Sequence, residues 1–222
     1  GAADVMAGGG GNDVYAVDDA LDQAVETAGN GKDLVQSAVS FTLGAHVEKL
    51  TLTGTGAIDG MGTPPNIFPG ATRAPNPLDG RAGPDGLAGG AGDDTYIVDN
   101  IGDRISEEAG PAGDDIVLSS VSFALPAHVQ ELVLTGNAAI DATGNSGINV
   151  LRGNGAANLL NGGGGPDAMV GGDGNDIYIV DHAGDIVSEA AGEGVDLVKS
   201  TVTLALSQNV QKLTLRGGGA IH

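Results

Sequence analysis

Cysteine is absent from the chain, so no disulfide can hold it together and the redox compartment leaves no mark on the sequence. Tryptophan is absent too, and aromatic residues reach only 3%, too little to fill the centre of a large globular core. Positive charge is scarce: 9 Lys and Arg stand against 29 Asp and Glu, a formal net charge of −20. That imbalance repels a nucleic-acid backbone and an anionic membrane surface alike. It also opposes compaction unless multivalent cations neutralise it. No run of about 18 apolar residues occurs, so no transmembrane helix is expected. The opening Gly1-Ala2-Ala3-Asp4 carries neither an initiator Met nor a signal peptide, and it suggests an excerpt of something longer.

What is abundant is glycine, 40 residues in 222, beside small apolar side chains within a 41% hydrophobic total. That is too apolar for an acidic disordered chain and suits thin, layered packing. Three long repeats are visible, starting at Asp4-Val5-Met6, Asp85-Gly86-Leu87 and Asp167-Ala168-Met169, the second interval one position longer than the first. Tyr15, Tyr96 and Tyr178 align between them, as do Glu26, Glu107 and Glu189; His46 and His128 align with Asn209. The repeat array divides into 1–65, 66–148 and 149–222.

A period of nine runs inside each long repeat: Asp4, Asp13, Asp22; then Asp85, Asp94, Asp103; then Asn149, Asn158, Asp167, Asp176, Asp185. Asp33, Asp115 and Asp196 follow more loosely, and Asn66 and Asn76 precede the second series. Two places after each of these sixteen positions stands an apolar residue or Tyr: Met6, Tyr15, Ala24, Val35, Phe68, Leu78, Leu87, Tyr96, Ile105, Val117, Leu151, Leu160, Met169, Tyr178, Val187 and Val198. In the clearest turns the glycines are Gly8, Gly9 and Gly11, Gly89, Gly90 and Gly92, and Gly171, Gly172 and Gly174. Glycine lets the backbone turn tightly and aim several carbonyls at one point. The Asp adds a carboxylate there, and the last three residues form a short strand with the apolar side chain inward. Ca²⁺ takes six to eight hard oxygen ligands, more than one turn supplies. Two stacked turns supply them if each coil holds two turns. Asp4 then faces Asp22, Asp85 faces Asp103 and Asp167 faces Asp185, with Asp94 over Asp115 and Asp176 over Asp196 less regularly. Mg²⁺, with its stricter octahedral demand, fits less well.

These turns match G-G-x-G-x-D-x-U-x, and the chain resembles the RTX family of hemolysin-type calcium-binding nonapeptide repeats. The resemblance implies an all-β, right-handed parallel β-roll or β-solenoid with several Ca²⁺ ions held between Gly/Asp turns. It also implies export by type I secretion and an extracellular or cell-surface location. The chain departs from the pattern at Pro64, Pro65, Pro69, Pro75 and Pro77, and at Pro84 and Pro166 just before the Asp. Asn66, Asn76, Asn149 and Asn158 remove negative charge, so weak or metal-free turns are expected there. Segments such as 37–54 alternate with period two and are strands. Whether 36–65, 118–148 and 199–222 extend the solenoid or pack on its side is open.

No catalytic constellation stands out. The four histidines, His46, His128, His182 and His222, form no H-x-x-x-H pair. The acidic pairs recur along the chain, whereas an active site is single, so ligation explains them better than acid–base catalysis. No Lys follows the glycines as a phosphate loop needs, and the EF-hand spacing is missing. Thr51-Leu52-Thr53 recurs only once per long repeat and becomes Thr214-Leu215-Arg216 in the third, too sparse for an ice-binding array. The expectation is a non-enzymatic, calcium-dependent repeat module of a surface, matrix or filament protein. Its alternative is the folding and secretion module of a secreted protease, lipase or polysaccharide epimerase. Neither end resembles a capping coil, so calcium-dependent end-to-end self-association is expected.

Overall fold

A computed structural model describes residues 1–54, 56–62, 74–107, 109 and 113–216; Asn66, Phe68, Pro64, Pro65, Pro69 and His222 lie outside them. The described residues contain strands of two to four residues and no helix. The chain forms two compact bodies, Gly1–Asp115 and Ile116–His222. Each is a parallel β-solenoid.

Spacing fixes which strands pair. In the first body Val5 pairs with Gln23, Pro77 with Thr95 and Gly86 with Arg104. In the second, Leu159 pairs with Ile177 and Ala168 with Ile186. In all of these pairs the partners are separated by twice the period of nine, so one coil is two nine-residue turns, and turns two apart stack. Departures recur at equivalent places. Val14 pairs with Leu34 and Ile177 with Leu197, a coil two positions longer than the regular one. Leu34 then pairs with Lys49 and Leu197 with Lys212, a coil three positions shorter than the regular one. A long coil is thus followed by a short one.

The inward row is the one the period of nine selects. Of the sixteen apolar positions, all but two are buried; Met6 is half-buried, and Phe68 is outside the described residues. Leu78, Tyr96, Val117, Leu151, Leu160, Met169 and Tyr178 are fully enclosed. One medium side chain per half-coil fills a core only a strand or two across, which is why so few aromatics suffice.

The intervening segments continue the coils. Lys49–Leu52 lies beside Leu34–Ser37, and Glu131–Leu134 lies between Ile116–Ser119 and Val150–Arg152. Ser37, Ser119 and Ser200 are wholly buried at equivalent strand ends. Each Oγ donates to the carbonyl of Val39, Val121 or Val202 and accepts the same residue's N–H, closing a turn with no metal. His46, His128 and Asn209 have φ of 68°, 71° and 70°. Histidine and asparagine are both enriched in this left-handed region, which explains their alignment as a backbone requirement.

Leu160 stacks between Ala142 and Tyr178 and is fully buried. Leu160→Ala should cost about 2–5 kcal/mol through lost transfer energy and the cavity left. Denaturant unfolding in excess Ca²⁺ reads this; an unshifted midpoint would show that the inward row is not the core.

Candidate metal centres

Aspartates of the nine-residue series stack in pairs, the first donating its backbone N–H to a side-chain oxygen of the second, one coil further on. Asp4 donates to Asp22 Oδ1 at 2.9 Å, Asp85 to Asp103 at 2.9 Å and Asp167 to Asp185 at 3.0 Å. On the other edge Asp13 donates to Asp33 at 2.8 Å, Asp94 to Asp115 at 2.9 Å and Asp176 to Asp196 at 3.0 Å. The stacking expected from spacing is therefore present, and the first carboxylate oxygen is a rung between coils. The rung uses one oxygen and carries the other inside.

The second atom meets one of three environments. Where the residue is Asn, its amide supplies a donor: Nδ2 of Asn76 donates to the Ile58 carbonyl, Asn149 to Val129 and Asn158 to Ile140, at 2.9, 3.0 and 2.6 Å. Those turns are closed by side-chain hydrogen bonds. At Asp22, Asp103 and Asp185 the second oxygen accepts two backbone N–H groups, from Asp18 and Asp19, Asp99 and Asn100, and Asp181 and His182, at 3.1–3.2 Å. These three carboxylates are tied into their own turns. In the glycine-rich turns no such donors arrive: Oδ2 of Asp13, Asp94, Asp167 and Asp176 is buried with no hydrogen-bond partner. A buried acceptor without a donor is costly and rare.

Glycine is what lets these carboxylates sit there. A Cβ on Gly8, Gly89 or Gly171 would collide with the side chain of Asp13, Asp94 or Asp176. The next residue, Gly9, Gly90 or Gly172, has φ of 86–90°, and Gly11, Gly92 and Gly174 also lie at positive φ.

Three clusters gather carboxylates around those aspartates: Asp13 with Glu26 and Asp33, Asp94 with Glu107 and Asp115, and Asp176 with Glu189 and Asp196. In each, one oxygen per residue lies within 4.8 Å of the others. Oxygens bound to one Ca²⁺ at about 2.3–2.6 Å stand no more than about 5 Å apart, so the donor set and spacing fit calcium. The glutamates were not legible as members of these clusters from the nine-residue motif, because each occupies the place of its first glycine. The signal was there: Glu26, Glu107 and Glu189 each stand one regular coil beyond Gly8, Gly89 and Gly171. Among the described residues, Asp85 with Asp103 and Asp167 with Asp185, on the opposite edge, gain no third carboxylate.

Burial sets the electrostatics. It pushes the carboxyls of Asp94, Asp115, Asp167 and Asp176 up to about 6. Burial and then the Asp196 charge push Glu189 up to about 8. Glu26 moves the other way, because the Tyr15 hydroxyl donates to it. Asp22 is also lowered, first by the Asp4 N–H. Packing three carboxylates together in a low-dielectric site demands either protons or a cation.

The family described as RTX calcium-binding nonapeptide repeat (4 copies) matches residues 1–16, 75–100 and 143–178. Each matched stretch stops short of the glutamate turn that follows it. The chain is also 38% identical over 67 residues to the endo-1,3-1,4-beta-glycanase ExsH of Rhizobium meliloti (strain 1021), an overlap covering 30% of this chain and 14% of that protein. No solved structure matches. Among the described residues no helix is long and apolar enough to cross a membrane.

The raised carboxyls make a proton-linked prediction. A folded pKa above the unfolded value of about 4 means protonation favours the folded, ion-free form. That contribution is fully present below about pH 4 and is lost as pH rises through about 6 for the four aspartates and about 8 for Glu189. Calcium binding to the folded, ion-free form near pH 6 should therefore release protons, with the release declining towards pH 8, whereas a chain unfolded without calcium has ordinary carboxyls and releases none. Calorimetry in buffers of different ionisation heat measures it; no release at pH 6 would mean that the carboxylates are already ionised.

Proposed function

We propose, for a chain that carries RTX calcium-binding nonapeptide repeats on a parallel β-solenoid, that it is an extracellular structural module that folds on calcium. The observation that carries this reading is the recurrence, once per long repeat, of a three-carboxylate cluster beside a buried oxygen with no hydrogen-bond donor. Asp13, Glu26 and Asp33, Asp94, Glu107 and Asp115, and Asp176, Glu189 and Asp196 hold one Ca²⁺ per cluster. Turn carbonyls add ligands. Asp85 and Asp167 head further sites on the opposite edge, with fewer charges. Bound calcium supplies positive charge that no side chain in the clusters offers. The aspartates and glutamates turn that charge into cohesion between successive coils. A fold contingent on the ion suits a compartment rich in calcium, where weak sites fill.

A second reading is the folding module of a secreted enzyme acting on polysaccharide. The likeness to a short tract of a beta-glycanase favours it. The adjoining reading frame separates the two: a catalytic domain there supports the second.

Ligand binding to the folded state alone stabilises it by RT ln(1 + [L]/Kd) per site, so several sites should give a steep transition. Circular dichroism should show a largely disordered chain in excess EDTA and β structure in millimolar Ca²⁺. An unchanged spectrum on chelation would sink the reading. Asp94→Asn and Asp176→Asn should each lower the bound-calcium count and weaken folding, while His46→Asn and His128→Asn, which keep a side chain suited to the left-handed backbone there, should do neither.

A further inference from the structure

The chain has three tyrosines, and all three stand on the strand leading out of a three-carboxylate turn, two places after Asp13, Asp94 or Asp176. The inward positions of other turns are filled by Leu78, Leu87, Leu151, Leu160 and Met169. Filling the core therefore asks for no hydroxyl. Tyrosine occurs where, and only where, the next coil brings a glutamate in place of glycine.

The geometry says what the hydroxyl does. The Gly8 N–H donates to Tyr15 Oη at 2.7 Å and the Gly89 N–H to Tyr96 Oη at 2.8 Å. The same two N–H groups lie 3.3 Å from Oε1 of Glu26 and Glu107. Tyr15 Oη in turn donates to Glu26 Oε1. The phenol is thus a bridge between the first glycine of one coil and the glutamate of the next. Neighbouring coils leave room for it, because Tyr15 pairs with Val35 and Tyr178 with Val198. In the third cluster the same parts converge: a Cβ on Gly171 would collide with both Asp176 and the Tyr178 hydroxyl. There Tyr178 Oη and both oxygens of Glu189 are buried without a hydrogen-bond partner. A buried phenol needs an acceptor, and Glu189 has two oxygens to offer.

We propose that Tyr15, Tyr96 and Tyr178 are positioning residues that hold Glu26, Glu107 and Glu189 against the paired aspartates, and so set how tightly each cluster keeps a divalent cation. This rests on the clusters being calcium sites. Groups that orient a ligand from behind alter metal affinity by about 10–100-fold, and the tyrosine reaches the cation through the glutamate, its bond from the glycine N–H anchoring the phenol.

A double-mutant cycle tests this on the full chain, using calcium titration against a chromophoric chelator. Tyr178→Phe should keep the ion count and weaken one site about tenfold. Glu189→Gln should weaken or remove that site. Adding Tyr178→Phe to Glu189→Gln should change calcium binding no further. The calcium-induced tyrosine absorbance difference should also shrink in Glu189→Gln. The pair Tyr15→Phe and Glu26→Gln repeats the cycle at a site where the hydrogen bond is formed, should Tyr178→Phe fail to fold. If Tyr→Phe weakens binding equally with and without the glutamate, or not at all, the positioning role is wrong while the sites stand. If neither Glu→Gln variant alters the count or the affinity, the cluster reading falls and takes the positioning role with it.

Discussion

A carboxylate has two oxygens, and in this fold the coil-to-coil rung uses only one of them. Oδ1 of Asp94 and of Asp176 accepts the N–H of Asn76 or Asn158 from the coil before, and each carboxylate is buried two places before its buried tyrosine. The remaining oxygen must then find a donor, a proton or a cation in a place water does not reach. Most of the other features follow from which of these arrives. Asparagine brings its own donor, a tight polar turn brings two backbone N–H groups, and the glycine-rich turn brings none. The glycine-rich turns therefore hold a buried carboxylate oxygen that a proton or a cation would satisfy, in a chain whose net charge is −20.

The alternation of coil lengths places the three-carboxylate clusters. The step from Asp13 to Asp33 and the step from Asp176 to Asp196 are equal, and the step from Asp94 to Asp115 is one position longer. All three exceed the regular coil, and the extra length lets a glutamate turn swing in over the preceding carboxylate. The single additional position in the second case accounts for the unequal intervals between the long repeats. Beyond each glutamate turn the rung passes to a different kind of side chain. Asp33 N–H donates to Glu48 and Asp196 N–H to Gln211, and buried serines then close the turns. Coils that carry a three-carboxylate cluster thus give way to coils whose turns are closed by side-chain hydrogen bonds. Local stability in such a chain follows the type of turn.

The sequence by itself determined the period of nine, the inward row from Tyr15 to Val198, the two-turn coil and the stacking of aspartates one coil apart. Those are consequences of strand alternation and of a repeat that cannot bury its apolar face alone. Asn149 and Asn158 could also be recognised as breaks in the carboxylate series, since losing a charge is visible in the residue type. What only the tertiary structure decided is the fate of individual oxygens. Asp22 and Asp94 belong to the same series, yet the backbone N–H groups of Asp18 and Asp19 occupy one, while the other's Oδ2 has no donor and its carboxylate meets a glutamate and a second aspartate. Glu26, Glu107 and Glu189 lie outside the motif, and their approach depends on a turn two or three positions longer than the rest. Whether a carboxylate oxygen meets backbone donors or other carboxylates is set by the path of the loop around it, within a few ångströms. Residue spacing along the chain records which coil a side chain belongs to, and carries no record of which donors reach it.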